Sequence, residues 1–379
     1  MKKILVFVDT LNEGGVSKVL VDFIENIDKK KYDITVMSLY NMGPYISTIK
    51  KHVKYKYCFN LPNDSDQSMR AYLYRKFWGG MLKLPERFMY RWFVKEKYDI
   101  EVAFMHGWST KFISASPNKK SKKVAWVHAD LITWDRVDGI FKNIEHHKRA
   151  YSKFDKVICV SNIVKKGIEA KYEVKNAQVI YNPLNKDRIL QQSLEEVNEF
   201  SVKASNFNII SVGRLSYEKG YDRLLSAFNK LIRDGLKCNL WIVGSGEEYT
   251  TLNNYILANG LDNYVKLLGF KDNPYKYMRN SDLFVCSSRS EGFSLVIAEA
   301  MVIGIPIVSV DCPGPNELLD FGKYGLLVEN NEEELYRGLK EIIKNKDMCK
   351  YYQSKSNERS RFFSLDDFTN DVDCIFSEI

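Results

Sequence analysis

"FNIISVGRLSYEKGYDRLLSAF", Phe207 to Phe228, reads as an apolar strand, a glycine-bearing loop and an amphipathic helix. In the helical part Leu224, Leu225, Phe228, Leu231 and Ile232 recur on one face. The same device opens the chain: "KILVFVDTLNEGGVSKVLVDFI", Lys3 to Ile24, is again strand, glycine loop and helix. A unit that restarts about two hundred residues later predicts two domains, each beginning on its own first strand. The length of 379 residues points the same way.

Between and beyond these stretches, short aliphatic runs alternate with longer amphipathic ones. "YDITVMSL", "DIEVAFM", "KVAWVHA" and "DKVICV" lie in the first half; "NLWIVG", "YVKLLG", "SDLFVCS" and "IPIVSV" lie in the second. Apolar strands separated by helices predict an α/β protein with parallel sheets covered on both faces. The expected architecture is two Rossmann-like domains facing across a cleft, 1–182 and 183–363. The hinge falls near Tyr181 to Asn185, where a proline turn precedes a polar, charged stretch. The tail, about 364–379, reads as a last helix that packs back on the first domain. Ligands of such sheets sit at the carboxyl ends of the strands.

Composition excludes several classes. A hydrophobic fraction of 45% and a charged fraction of 27% are those of a globular protein. No apolar run approaches the ~18 residues of a spanning helix, and "MKKILVFVDT" lacks a cleavage site, so it reads as a strand. The seven cysteines form no CxxC pair and suit a reducing cytoplasm. The five histidines form no zinc motif. A net charge of +8 favours an anionic partner. Nothing resembles a recognition helix, an RNA-binding strand or a zinc finger, so nucleic acid is not expected.

Two stretches carry chemistry. In "VGRLSYEKG", Arg214 stands just past a strand and Lys219 at the start of a helix. Two cations beside free helix N–H groups make an anion site fit for a phosphate or diphosphate. In "SDLFVCSSRSEGFSLVIAEAM", a strand leads through a polar loop into a helix that Ser294 is placed to cap. Glu291 then lies in the loop and Glu299 just over one turn into the helix, ~7–8 Å beyond Ser294. A carboxylate among "LVIAEAMVIG" needs hydroxyl or N–H donors, and the two vicinal hydroxyls of a ribose supply them.

With these residues in place the chain resembles a family 4 glycosyltransferase of the GT-B fold. The match runs through "EGG" at Glu13 to Gly15, "GRLSYEKG", "VGSGEE" at Val243 to Glu248, "LLGF" at Leu267 to Phe270 and the paired glutamates. The resemblance implies that Arg214 and Lys219 hold a donor diphosphate, that Glu299 binds the ribose and that Glu291 lies beside the donor sugar. It implies backbone contacts from Gly292, Phe293, Ser294 and Leu295, a frame for the nucleoside from Gly213, Gly244, Ser245, Gly246 and Phe270, and an acceptor-side loop at Gly14, Gly15 and Val16. Gly15 also reaches the donor. His128, after "KKVAWV", is similar to the family's active-site histidine. The implied reaction is retaining and metal-independent, with no cofactor. A hexose or N-acetylhexosamine passes from a nucleotide sugar, UDP by family prior, to a glycan hydroxyl.

"DCPGPNELL", Asp311 to Leu319, departs from the Gly-Gly-x-Pro-Glu turn of many relatives and is similar to that of bacterial surface-polysaccharide enzymes. That departure leaves the acceptor open between a lipid-diphosphate-linked glycan and a soluble or protein acceptor. An NAD-dependent oxidoreductase is the rival class; "GSGEEY" from Gly244 lacks the third glycine of a dinucleotide fingerprint. Two Asp-x-Asp stretches, Asp64 to Asp66 and Asp371 to Asp373, end no strand and read as solvated acids. From Gln67 to Lys97, eight Lys and Arg side chains are interleaved with eight aromatics, and Pro85 divides two helices. That pattern fits a cytoplasmic enzyme resting on an anionic inner membrane face.

Overall fold

A computed structural model describes residues 1–12, 14–61, 68–82, 84–132, 139–197 and 206–379. The chain divides into two compact units, Met1–Pro183 with Leu365–Ile379, and Leu184–Ser364.

The first unit is built on a sheet of seven parallel strands among the described residues. They are β1 (Lys2–Val8), β2 (Tyr32–Tyr40), β3 (Lys54–Phe59), β4 (Ile100–Ala103), β5 (Lys122–Val127), β6 (Lys156–Cys159) and β7 (Ala177–Val179), in the order β3-β2-β1-β4-β5-β6-β7. Ile4 to Phe7 are wholly buried because helices cover both faces of the central strand. The reversal of order beside β1 leaves the ends of β1, β4 and β5 adjacent.

The last helix, Leu365–Glu378, belongs to this unit. Phe368 and Phe376 meet the Phe23 ring edge-on at 6.2 and 6.3 Å, and Phe376 meets Tyr32 at 5.8 Å. Burying two such rings contributes about 1.5–3 kcal/mol each. Asp373 is not the solvated acid its sequence context suggested. It pairs with Lys31 at 2.7 Å and accepts from the Tyr32 hydroxyl at 2.6 Å, because the helix sets it over the start of β2. Asp64 to Asp66 lie outside the described residues.

The second unit carries β8 (Phe207–Val212), β9 (Cys238–Val243), β10 (Val265–Leu267), β11 (Leu283–Cys286), β12 (Ile307–Val310) and β13 (Leu326–Val328), all parallel, in the order β10-β9-β8-β11-β12-β13. The helix Tyr221–Arg233 lays Leu224, Leu225, Phe228 and Leu231 into the core. Ile232, expected on the same face, packs only part-buried at its margin. The order reverses at β8, so the loops after β8 and β11 lie side by side. That is where a doubly wound sheet holds its ligand.

Candidate active site

In the second unit, the loops leaving β8, β9 and β10 are laced by backbone hydrogen bonds. Gly213 N–H donates to Val243 O at 2.9 Å, Leu215 to Ser245 O at 2.9 Å and Gly244 to Gly269 O at 2.8 Å. Gly244 has φ +150°, and a Cβ there would stand 1.9 Å from Gly213 O. A Cβ on Gly246 would stand 2.3 Å from Leu215 O. The lacing needs glycine at both positions.

Lys219 closes a short 3-10 turn, Tyr217–Lys219; the following helix begins only at Tyr221, with Gly220 at its N-cap. Its ammonium is paired with Glu291 Oε1, which also accepts from the Ser288 hydroxyl at 2.9 Å. Lys219 is thus part-buried rather than an exposed loop cation, with 25% of its side chain accessible against 13% for Glu291. Burial works against the ammonium, but Glu291's charge and hydrogen bond outweigh it and raise the pKa. Arg214 is exposed, one residue past Gly213. The first turn of the Tyr221–Arg233 helix already carries its own acid, Asp222, so its positive end is partly met by the chain itself.

Asp222 belongs to a lock that sequence reasoning missed. Arg289 grips its carboxylate with two bonds, at 2.9 and 2.6 Å, donates to Tyr217 O at 2.6 Å and stacks 3.9 Å above the Tyr217 ring. Ser287 Oγ donates to Lys219 O at 2.8 Å, and Arg289 N–H to Glu218 O at 2.7 Å. These contacts bind the loop of Glu291 to the loop of Lys219. A lone arginine among serines gave no signal of this.

The helix Leu295–Ile303 follows. Ser294 stands at its N-cap position but does not cap it. Its backbone is left-handed, φ 58°, and its hydroxyl is buried without a hydrogen-bond partner among the described residues. A non-glycine residue held there costs of order 1–3 kcal/mol, and such strain collects at functional sites. Phe293 is buried and meets Phe363 edge-on at 6.0 Å. Gly314, in the divergent "DCPGP" turn, donates to Glu291 O at 2.8 Å and so backs the same loop. Glu299 is buried, 3% exposed, and accepts from the Tyr275 hydroxyl at 3.1 Å. Phe270 is exposed in the loop after β10.

The remaining candidates lie in the first unit. Gly14 precedes the helix Gly15–Asn26 with φ +144°. A Cβ there would touch nothing within 4 Å, so backbone conformation, not crowding, calls for glycine. Gly15 is exposed and Val16 half-buried; Glu13 lies outside the described residues. His128 follows β5 with both ring nitrogens buried. Burial, with a smaller push from His106, lowers its pKa to about 3. His106, just past β4, is itself lowered to about 4 by burial. Asp9, just past β1, accepts from Ser109 Oγ at 2.6 Å and is raised by burial to about 6. Neither His106 nor Asp9 was singled out by the sequence, although each stands at the exit of a strand. Among the described residues no group of three or more His, Cys, Asp or Glu is placed to hold a metal ion.

The helices Met69–Met81 and Glu86–Phe93 split their aromatics. Trp78 and Phe93 pack on Phe59 at 4.4 and 5.1 Å, and Tyr90 on Phe112 at 5.3 Å. Tyr72, Phe77, Phe88 and Trp92 are exposed, beside exposed Lys76, Arg87 and Arg91. Among the described residues no helix is long and apolar enough to cross a membrane.

Comparison with known proteins places these features. Residues 13–188 match the Glycosyltransferase Family 4 model and 194–359 match Glycosyl transferases group 1. An uncharacterized glycosyltransferase of Haemophilus influenzae is 28% identical over 375 residues, 97% of each chain. The N-acetylgalactosamine-N,N'-diacetylbacillosaminyl-diphospho-undecaprenol 4-alpha-N-acetylgalactosaminyltransferase of Campylobacter jejuni is 34% identical over 191 residues, half of each chain. The structure of HepE from Anabaena in complex with UDP-glucose superposes over the whole of both chains with a TM-score of 0.76 at 20% identity. The two Rossmann-like domains are those of the GT-B fold, and the chain belongs to glycosyltransferase family 4.

Proposed function

We propose that this protein transfers a hexose or N-acetylhexosamine from a UDP-sugar to a hydroxyl of a growing bacterial glycan, with retention and without a metal. The observation that carries the reading is the Lys219–Glu291 pair at the exits of β8 and β11, with buried Glu299 one helical turn behind. A cation held between two locked loops suits a diphosphate, and Arg214 adds a second charge. In the free protein Glu291 occupies Lys219; an arriving diphosphate would take over the ammonium and release Glu291 to the sugar hydroxyls.

The acceptor oxygen would bond to the anomeric carbon on the face from which the diphosphate departs. The carbon–oxygen bond to phosphate breaks, and the acceptor's proton passes to the leaving diphosphate. Lys219 and Arg214 stabilise the charge growing there, the task of a metal elsewhere. The buried Ser294 hydroxyl, lacking a partner among the described residues, suits a donor hydroxyl. His128, held neutral, would orient a hydroxyl rather than donate a full proton.

The Campylobacter relative is named for a diphospho-undecaprenol-linked sugar, and HepE is seen with UDP-glucose. HepE favours a UDP donor here, and the Campylobacter relative favours a lipid-diphosphate-linked acceptor. The exposed aromatics and cations of Met69–Met81 and Glu86–Phe93 favour work at an anionic membrane face, on the cytoplasmic side. Thermal stabilisation by a panel of nucleoside diphosphates tests the donor reading. UDP should raise Tm more than ADP or GDP; stabilisation by none of the three would refute it.

A further inference from the structure

Glu299 has a neighbour that neither its helix nor its motif supplies. Tyr275 opens the short helix Tyr275–Arg279, reached from β10 through "LGFKDNP", the segment that carries Phe270. Its hydroxyl, in a residue only 3% exposed, donates to Glu299 Oε1 at 3.1 Å. Asn273 fixes that turn, accepting from Tyr275 N–H at 3.1 Å and donating to Gln192 O at 2.8 Å. One hydrogen bond therefore joins the loop proposed to frame the nucleobase to the carboxylate proposed to bind the ribose.

We propose that Tyr275 is a positioning residue for nucleotide recognition: its hydroxyl fixes Glu299 and couples the loop of Phe270 to the ribose site. The inference rests on the donor reading above. A buried carboxylate with one oxygen anchored loses less freedom when it accepts ribose hydroxyls, so the anchor adds affinity without touching the ligand. Removing the hydroxyl takes this anchor from the carboxylate and leaves the ring packed.

Calorimetric titration of UDP and of 2′-deoxyuridine 5′-diphosphate into the wild type, Tyr275→Phe, Glu299→Gln and the double variant tests it. Tyr275→Phe should bind UDP roughly tenfold more weakly. Its preference for UDP over the deoxy compound should shrink, a readout that a purely structural role would not move. The double variant should bind UDP no more weakly than Glu299→Gln alone, because both changes remove one unit. Wild-type affinity and ribose preference in Tyr275→Phe, while Glu299→Gln is impaired, would overturn this inference alone. A wild type that binds neither compound would overturn the donor reading and this inference with it.

Discussion

Lys219 and Glu291, 72 residues apart in the chain, form an ion pair at the mouths of two adjacent strands. Breaking such a pair from one side leaves a part-buried charge without its partner, which is why the variants below differ in stability as well as rate. Lys219→Ala and Arg214→Ala should each lower turnover by roughly 10²–10³, the scale of losing one preorganised charge stabiliser. Lys219→Ala should also lower Tm, since Glu291 stays part-buried; Arg214→Ala, at an exposed position, should not. Single-turnover rates and melting curves of the two variants check this.

On the proposed reading the two glutamates divide the donor between them. Glu299→Gln should weaken UDP itself by about ten- to a hundredfold, the worth of a hydrogen bond to a buried charge. Glu291→Gln should not weaken UDP, because it frees Lys219 for the diphosphate, and should weaken only the sugar-bearing donor. Titrating both ligands against both variants decides it; equal losses for the two ligands would contradict the division.

Asp9 gives a pH prediction in the first unit. Burial raises its pKa from 3.8 to about 6, so the ionised form is less favoured in the folded chain than in the unfolded one. The resulting penalty is absent below the unfolded pKa, grows between about 4 and 6, and is complete above the folded value. Asp9→Asn should therefore raise Tm at pH 7–8 and lose that advantage near pH 4, with Ser109 still able to donate to the amide oxygen. A gain that persists unchanged at pH 4 would contradict the assignment.

Membrane association predicts cosedimentation with anionic but not neutral liposomes at low salt, weakening as salt rises. Replacing Lys76, Arg87 and Arg91 by Gln should cut binding, and so should Phe77→Ser with Trp92→Ser. Absence of binding to anionic liposomes at low salt would leave a soluble acceptor as the better reading.

The fold was legible because parallel strands buried on both faces are written as apolar runs, and glycine loops mark where they end. "FNIISVG" and "KILVFV" announced their strands for that reason. The site was legible only as far as local sequence reaches. Glu299's burial followed from its apolar neighbours, but its partner Tyr275 sits 24 residues away on another element. Arg289's grip on Asp222 spans 67 residues and leaves no periodic trace. Ser294 misled because a serine before an apolar run has the form of a cap, whereas its backbone is left-handed and its hydroxyl makes no capping bond. Asp373 misled because its partners, Lys31 and the Tyr32 hydroxyl, stand more than three hundred residues earlier.

If this chain cleaves a UDP-sugar by means of its own cations, it needs no added metal to release UDP. Release of UDP from a panel of UDP-hexoses and UDP-N-acetylhexosamines, measured with and without EDTA, tests it most directly. At least one donor should be cleaved, EDTA should leave most of the rate intact, and Lys219→Ala should abolish most of it. Cleavage of no donor in the panel, or a rate that vanishes with EDTA and returns with Mn²⁺ or Mg²⁺, would contradict it.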